Sequence, residues 1–294
     1  MSGQANRVVS SPRLLDLLTL ERVEVNLFLT PVLHEGPSGL YGGQVAAQAL
    51  RAAAATVAPE RHPHSLHGYF LSRGDASRPV LLTVDQDRDG RSYSNRRVIA
   101  VQEGKVIFNM AASFHVEESG YDHQTPMPPA PDPDRLGDAI DVGLHDEAGA
   151  ANAPPPAKEI VDDHAPLQMR NVDPATLDGC VAGPIDQATW LRLREPVPDD
   201  PIWRQVVMAY MSDLGLIGAS MRPHSVNWSD VYSASLDHAL WFHRPFDPND
   251  WLLYTMSSPS ASGGRGFNLG SFFTRTGVLA ASAAQEGLIR PIRK

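Results

Sequence analysis

HGYFLSRGDASRPVLL, residues 67–82, and HALWFHRPFDPNDWLL, residues 238–253, have the same length and begin and end alike. At an offset of 171, His67-Gly-Tyr-Phe falls on His238-Ala-Leu-Trp, and Leu81-Leu82 falls on Leu252-Leu253. Gly104-Lys-Val-Ile then lies near Gly277-Val-Leu, shifted by two more residues. Each copy follows a long helical stretch. The first is QVAAQALRAAAATV, residues 44–57, rich in alanine, the strongest helix former, and closed by Pro59. The second is IWRQVVMAYMSDLGLIGASM, residues 202–221, with Asp200 as a cap and Pro201 in the first turn. Strands follow each helix: 64–72, 79–87, 93–102 and 105–115, then 231–242, 251–259, 266–275 and 277–287. A repeat this long is no solenoid unit and reads as a duplicated domain. A long helix wrapped by an antiparallel sheet, present twice, is an α+β plan. Joining the two sheets edge to edge removes two exposed strand edges, so that arrangement is expected.

Outside the repeat, Ser11-Pro12 reads as a cap and first-turn proline for a short helix through Leu20. Val23, Val25, Leu27 and Leu29 alternate with other residues and predict one half-buried strand. Residues 117–157 carry PMPPAPDP and APPPA among acidic and small residues, the composition of an extended linker. EIVDDH and ATWLRLRE resume the structure; in the latter, Thr189, Leu191 and Leu193 face one way and Trp190, Arg192 and Arg194 the other. The expected division is therefore 1–116, a linker over 117–157, and 158–294.

With 294 residues, 42% of them hydrophobic, the chain can bury a large core. Its net charge of −9 argues against nucleic acid, which is bound through basic groups that neutralise phosphates. No apolar run approaches the eighteen or so residues that a membrane helix needs. Asp16 and Glu21 interrupt the first thirty residues where a secretory signal would be apolar. One cysteine, Cys180, makes neither an internal disulfide nor a thiolate metal site, and a cytoplasmic setting is expected. His62, His64 and His67, and the pair His238 and His243, do not fall at metal-ligand spacings, so no metal is expected. Gly263-Gly-Arg-Gly266 lacks the phosphate-loop form and reads as a turn.

Asp213 is the informative residue. Ile202, Val206 and Ala209 precede it at spacings of four, three and four, which puts a carboxylate on the apolar stripe of its helix. An unpaired ion there is costly. The bland alternative is a helix end, because Gly215 and Gly218 follow closely. Ser235 and Gln285 are strand residues that could meet it. In the first copy Ser235 falls on His64 and Gln285 on Ser113, while the first helix has Gln44 and Gln48 but no acid. Chemistry using Asp213, Ser235 and Gln285 therefore belongs to the second copy.

The motifs YGGQVAAQAL, HSLHGYFLSRGD, DGRSYSNRRVIAVQEGK, YMSDL, SLDHALWFHRPF, WLLYTMSSPSASGGRG and GVLAASAAQEGLIR run in order from Tyr41 to Arg290. Together they resemble the acyl-CoA thioesterase II (TesB-like) family. The resemblance implies a double hotdog fold and hydrolysis of fatty acyl-CoA to free acid and CoA, with no metal or prosthetic group. It also implies catalytic roles for Asp213, Ser235 and Gln285. Serine stands where some members have threonine; both offer one donor and two lone pairs. Asp237 and His238 are read as structural. A homodimer or higher homo-oligomer is expected, and the terminal RPIRK lacks a Ser-Lys-Leu peroxisomal address. The competing readings are a hotdog protein that binds acyl-CoA without cleaving it and an acyl-CoA hydratase. A hydratase of that kind would carry an Asp and His in one local motif, which is not found.

Overall fold

The computed structural model describes residues 13–32, 39–137, 140–142, 166–172, 186–224, 226 and 228–292. Ser11, Pro12, Cys180 and the EIVDDH segment lie outside the described residues. The helices are α1 (Leu14–Leu17), α2 (Gly42–Ala54), α3 (Pro201–Ser212) and α4 (Gly218–Met221). The first-half strands are β1 (Glu21–Glu24), β2 (Leu27–Leu29), β3 (Arg61–Phe70), β4 (Leu81–Asp89), β5 (Tyr93–Gln102) and β6 (Lys105–Val116). Next come β7 (Ile140–Val142), β8 (Leu167–Asn171) and β9 (Gln187–Leu193). The last five are β10 (Val231–Ser235), β11 (Asp237–Phe242), β12 (Leu252–Ser262), β13 (Arg265–Thr274) and β14 (Leu279–Pro291). Among the described residues no helix is long and apolar enough to cross a membrane.

All strands belong to one sheet, in the order β1-β2-β4-β5-β6-β3-β11-β14-β13-β12-β9-β8-β7, with β10 on β14. Around the antiparallel β3–β11 seam the two halves mirror one another: β3-β6-β5-β4-β2 on one side, β11-β14-β13-β12-β9 on the other. This is the double hotdog, α+β, with its sheets joined edge to edge as the repeat predicted. The sheet encloses α2 and α3, which lie side by side in opposite directions. Arg51, late in α2, lies over the ring of Trp203, early in α3, at 4.5 Å. Gly43, at the start of α2, would put a Cβ 2.4 Å from the Tyr210 carbonyl oxygen near the end of α3. Only glycine permits that approach.

Pleating corrects the sequence alignment. His67 points outward, whereas His238 is buried. A one-residue slip reverses the face of a strand, so the counterpart of His238 is Leu66, not His67. Pairing carries the correction across the sheet. Leu66 pairs with Ala112 and Ala112 with Arg96; Asn268 pairs with Gln285, and Ala239 with Ala284 beside it. The helix-facing row Leu66–Ala112–Arg96 thus corresponds to His238–Gln285–Asn268, and Ala112, rather than Ser113, matches Gln285.

Three elements divide where continuous ones were expected. The strand read from Val23 to Leu29 is a hairpin: Asn26 takes φ +61, and only β2 reaches β4, leaving Val23 and Val25 exposed. Asn tolerates this left-handed conformation better than most residues. The helix read over 202–221 stops at Ser212, and Gly215 at φ +71 turns the chain before α4. The strand read over 231–242 breaks at Leu236, where the Glu286 N–H donates to the Asp237 carboxylate (2.6 Å). Gly263 and Gly264, with φ +58 and +76, form the two-residue turn of the β12–β13 hairpin.

Part of the segment read as a linker is structured. Ile140–Val142 is a strand, and residues 117–137 run back over the second half. The Trp190 indole N–H donates to the Pro131 carbonyl (2.9 Å), and Gln124 bonds to Gly277 and Leu279. Trp190, Trp251, Leu253 and Phe273 form a second apolar cluster beneath Met127, Ala130 and Leu136. Hence Trp190 is buried although it lies on the face opposite Leu191. Replacing Trp190 with Ala should cost about 3–5 kcal/mol, the usual range for emptying a large aromatic site. It should also speed proteolytic cleavage between residues 120 and 137. Denaturant unfolding and limited proteolysis test both.

Candidate active site

Asp213 is both things its sequence position allowed: the end of a helix and a buried acid. It is the C-cap of α3 and is 1% exposed. A helix C-terminus presents unpaired carbonyls and partial negative charge, an unfavourable place for a carboxylate. The antiparallel neighbour resolves the conflict. The first turn of α2 meets Asp213, and the Gly43 N–H donates to Oδ2 at 2.9 Å. Helix N-termini bind anions through such N–H groups and their aligned dipoles. A Cβ on Gly42 would sit 2.7 Å from the same oxygen, so Gly42 and Gly43 together admit the carboxylate.

The other carboxylate oxygen, Oδ1, accepts a short hydrogen bond from Gln285 Nε2. The same nitrogen donates to Ser235 Oγ at 3.1 Å. A carboxylate only accepts, so the amide nitrogen must face Asp213, and the acceptor fixes the orientation of the glutamine side chain. The structure therefore brings all three sequence candidates, Asp213, Ser235 and Gln285, into contact. Gln285 is fully buried, and its Oε1 has no hydrogen-bond partner among the described residues; Ser235 is half-buried.

Sequence reasoning missed a second tier. His238 Nε2 lies 2.8 Å from Ser212 Oγ, whose proton goes to the Ala209 carbonyl at 3.0 Å. The imidazole must then donate through Nε2, leaving Nδ1 as an acceptor 3.3 Å from Gln285 Nε2. Burial lowers the His238 pKa, against the opposing pull of Asp213 and Asp237, and so favours the neutral ring. The Tyr254 hydroxyl donates to the Ser212 carbonyl at 2.6 Å, satisfying a terminal carbonyl of α3. Burial, then the Asp213 charge, raises its pKa well above the ordinary value and keeps it a donor. Its ring lies where Gly270 would carry a Cβ, 2.6 Å away. The SLDH motif held a signal for His238; nothing local pointed to Tyr254, forty-one residues beyond Asp213.

The first half keeps the frame without the acid. α2 ends with Ala55 at its C-cap. The buried Arg96 donates to the Thr56 carbonyl and hydroxyl there (3.0 and 2.9 Å) and to Asp89. A cation at a helix C-terminus is the stabilising choice. Among the described residues, no group of three or more His, Cys, Asp or Glu side chains gathers as a metal site.

A neutral buried histidine links stability to pH. Below the unfolded-state pKa of about 6.5, the unfolded chain takes up a proton that folded His238 resists, so stability falls as pH drops. His64 and His243, also lowered by burial, act in the same sense. The unfolding free energy should therefore decline between pH 7.5 and 5.5, and His238→Gln should flatten that decline without abolishing it. Denaturation midpoints at both pH values test this; an unchanged slope would refute the neutral assignment.

Two family models match the chain: an acyl-CoA thioesterase model over residues 160–288 and an acyl-CoA thioesterase N-terminal domain model over residues 33–115. Acyl-coenzyme A thioesterase 8 from Homo sapiens is 38% identical over 279 residues, covering 93% of this chain and 88% of the relative. Acyl-CoA thioesterase 2 from Haemophilus influenzae is 35% identical, covering 94% and 96%. Among solved structures, acyl-CoA thioesterase II TesB2 from Mycobacterium marinum superposes with a TM-score of 0.78 at 41% identity, covering 95% of this chain and 98% of that one. Sequence and fold agree, and the chain belongs to the acyl-CoA thioesterase family.

Proposed function

We propose that the protein hydrolyses fatty acyl-CoA to free fatty acid and CoA with a water molecule oriented by Asp213, Ser235 and Gln285. The observation that carries this reading is the Gln285 amide nitrogen bridging the Asp213 carboxylate and the Ser235 hydroxyl. Thioester hydrolysis needs a water that can lose a proton and donors for the oxygen that gains charge. Asp213 supplies the proton acceptor. Ser235 and Gln285 give the water fixed hydrogen-bond partners. The water oxygen attacks the thioester carbon while its proton passes to Asp213. Collapse of the tetrahedral species breaks the C–S bond, and that proton returns to the departing thiolate.

The carbonyl oxygen finds donors in the first turn of α2. The N–H groups there have no carbonyl four residues earlier, and one of them already serves Asp213. A water nucleophile is favoured over an acyl-serine. Ser235 Oγ takes its hydrogen bond from Gln285, and His238 Nδ1 also faces Gln285 rather than the hydroxyl. On this reading the units 1–116 and 158–294 form one catalytic body, since the donor helix comes from the first and the carboxylate from the second. The setting is cytoplasmic and the working form a homodimer or higher homo-oligomer.

Free-thiol release from acyl-CoAs of short to long chain, with Asp213→Asn beside wild type, tests the reading. Turnover should fall by roughly 10²–10⁴, the range for losing a general base. A folded Asp213→Asn protein with near-normal turnover would overturn the assignment. Wild type that binds acyl-CoA yet releases no thiol would instead favour the binding-only alternative. Gln285→Ala and Ser235→Ala should each cost less, and their losses should not add, because both side chains serve one water.

A further inference from the structure

Arg73, just beyond β3, and Lys105, at the start of β6, are exposed cations on the wall of a cavity of about 440 Å³. Among the described residues, neither side chain has an ion-pair or hydrogen-bond partner. The two carboxylates beside them, Asp75 and Glu103, are already engaged. Arg78 Nε lies 3.4 Å from Asp75, and its Nη1 pairs with Glu103. Arg73, Lys105 and Arg78 against Asp75 and Glu103 leave a net positive charge around this cavity, in a chain whose net charge is −9.

The cavity is built rather than accidental. The Gln102 side chain donates to the carbonyls of Asp75 (2.8 Å) and Arg78 (3.0 Å) and accepts from the Asp75 N–H (2.8 Å). The Arg73 guanidinium lies across Gly39, with Nε and Nη2 each 2.9 Å from where a Cβ would stand. A bare backbone at that position is what lets the guanidinium settle there.

Two short runs of chain connect the cavity to the buried carboxylate. Gly39 bridges to Asp75, and the Leu40 N–H donates to the Gly74 carbonyl at 3.1 Å. Three residues on, a Cβ at Gly42 would lie 2.7 Å from the Asp213 carboxylate and 3.0 Å from the Phe70 ring. Phe70 is in turn three residues from Arg73. Three extended residues span at most about 11 Å. The pantetheine arm of CoA, from sulfur to the first phosphate-bearing oxygen, has as many bonds as four residues of backbone, about 13–14 Å extended. The run of chain between the Asp213 carboxylate and the Arg73 guanidinium is thus comparable in length with that arm, and Lys105 lines the same cavity as Arg73.

Resting on Asp213 as the reaction centre, we propose that Arg73 and Lys105 form the docking site for the phosphate groups of the CoA portion of the substrate. Arg offers paired N–H donors to phosphate oxygens and Lys a point charge. The test compares acyl-CoA with the S-acyl-pantetheine of the same chain length, in wild type, Arg73→Gln, Lys105→Gln and the double variant. The double variant should raise KM for acyl-CoA about tenfold, as expected for losing charge-assisted bonds, with kcat nearly unchanged. Kinetics on acyl-pantetheine should not move, and the salt dependence of kcat/KM for acyl-CoA should flatten. Equal changes on both substrates, or no change on either, would overturn the proposal. Asp213→Asn in the same assays separates the two readings. It should lower kcat on both substrates; full activity would refute the reaction centre, while a KM effect of the double variant confined to acyl-CoA would still uphold phosphate docking.

Discussion

A carboxylate held between the end of one helix and the beginning of another is the constraint on which this structure turns. Asp213 caps α3 at its negative end, and burial denies it water. An ion so placed is tolerated only with hydrogen bonds that replace hydration. Gly43 supplies one from the first half and Gln285 another from the second. For both to arrive, α2 must run antiparallel to α3, close enough that residue 43 carries no side chain. The sheet must also bring β14 under the end of α3. The site is therefore a property of the duplicated pair, since neither half holds the carboxylate alone.

The two halves treat the same location in opposite ways. Just past the end of α2, a buried arginine meets the Thr56 carbonyl and hydroxyl, and Leu66 and Ala112 complete the row beside it. At the end of α3, the matching row is His238, Gln285 and Asn268, and the charge is negative. One end follows the helix dipole; the other opposes it and depends on its neighbours. Polar groups at the second end are bound into a network: Tyr254 to Ser212, Ser212 to His238, and His238 beside Gln285. Gly270 makes room for the Tyr254 ring, so the constraint reaches into β13.

Much of this was legible in the chain itself. Period-2 runs and turn residues marked the strands after each helix, because a half-buried strand must alternate and a hairpin must turn on residues that tolerate its geometry. Gly263-Gly264 and Glu103-Gly104 are such turns. The repeat announced the duplication, and spacing singled out Asp213. The face of each repeat residue was less secure: an alignment one residue out preserves letters and reverses orientation, which is how His67 came to stand opposite His238. Breaks within elements were equally hidden. Leu236 interrupts a strand because the Asp237 side chain takes a backbone donor, a contact that depends on Glu286 lying alongside.

By itself the sequence determined the α+β duplication, the placing of most helices and strands and the acid on an apolar stripe, which depend on local periodicity and residue type; Ser235 and Gln285 were singled out as its companions through the family resemblance. Only the tertiary structure decided which helix end receives the carboxylate, that Gly43 donates to it, and that His238 and Tyr254 support it from distant strands. It also turned the proline-rich stretch at 117–137 into a cover for Trp190. Such contacts join residues tens to more than a hundred positions apart. Their energies come from antiparallel helix packing and sheet register, which no local stretch of chain encodes.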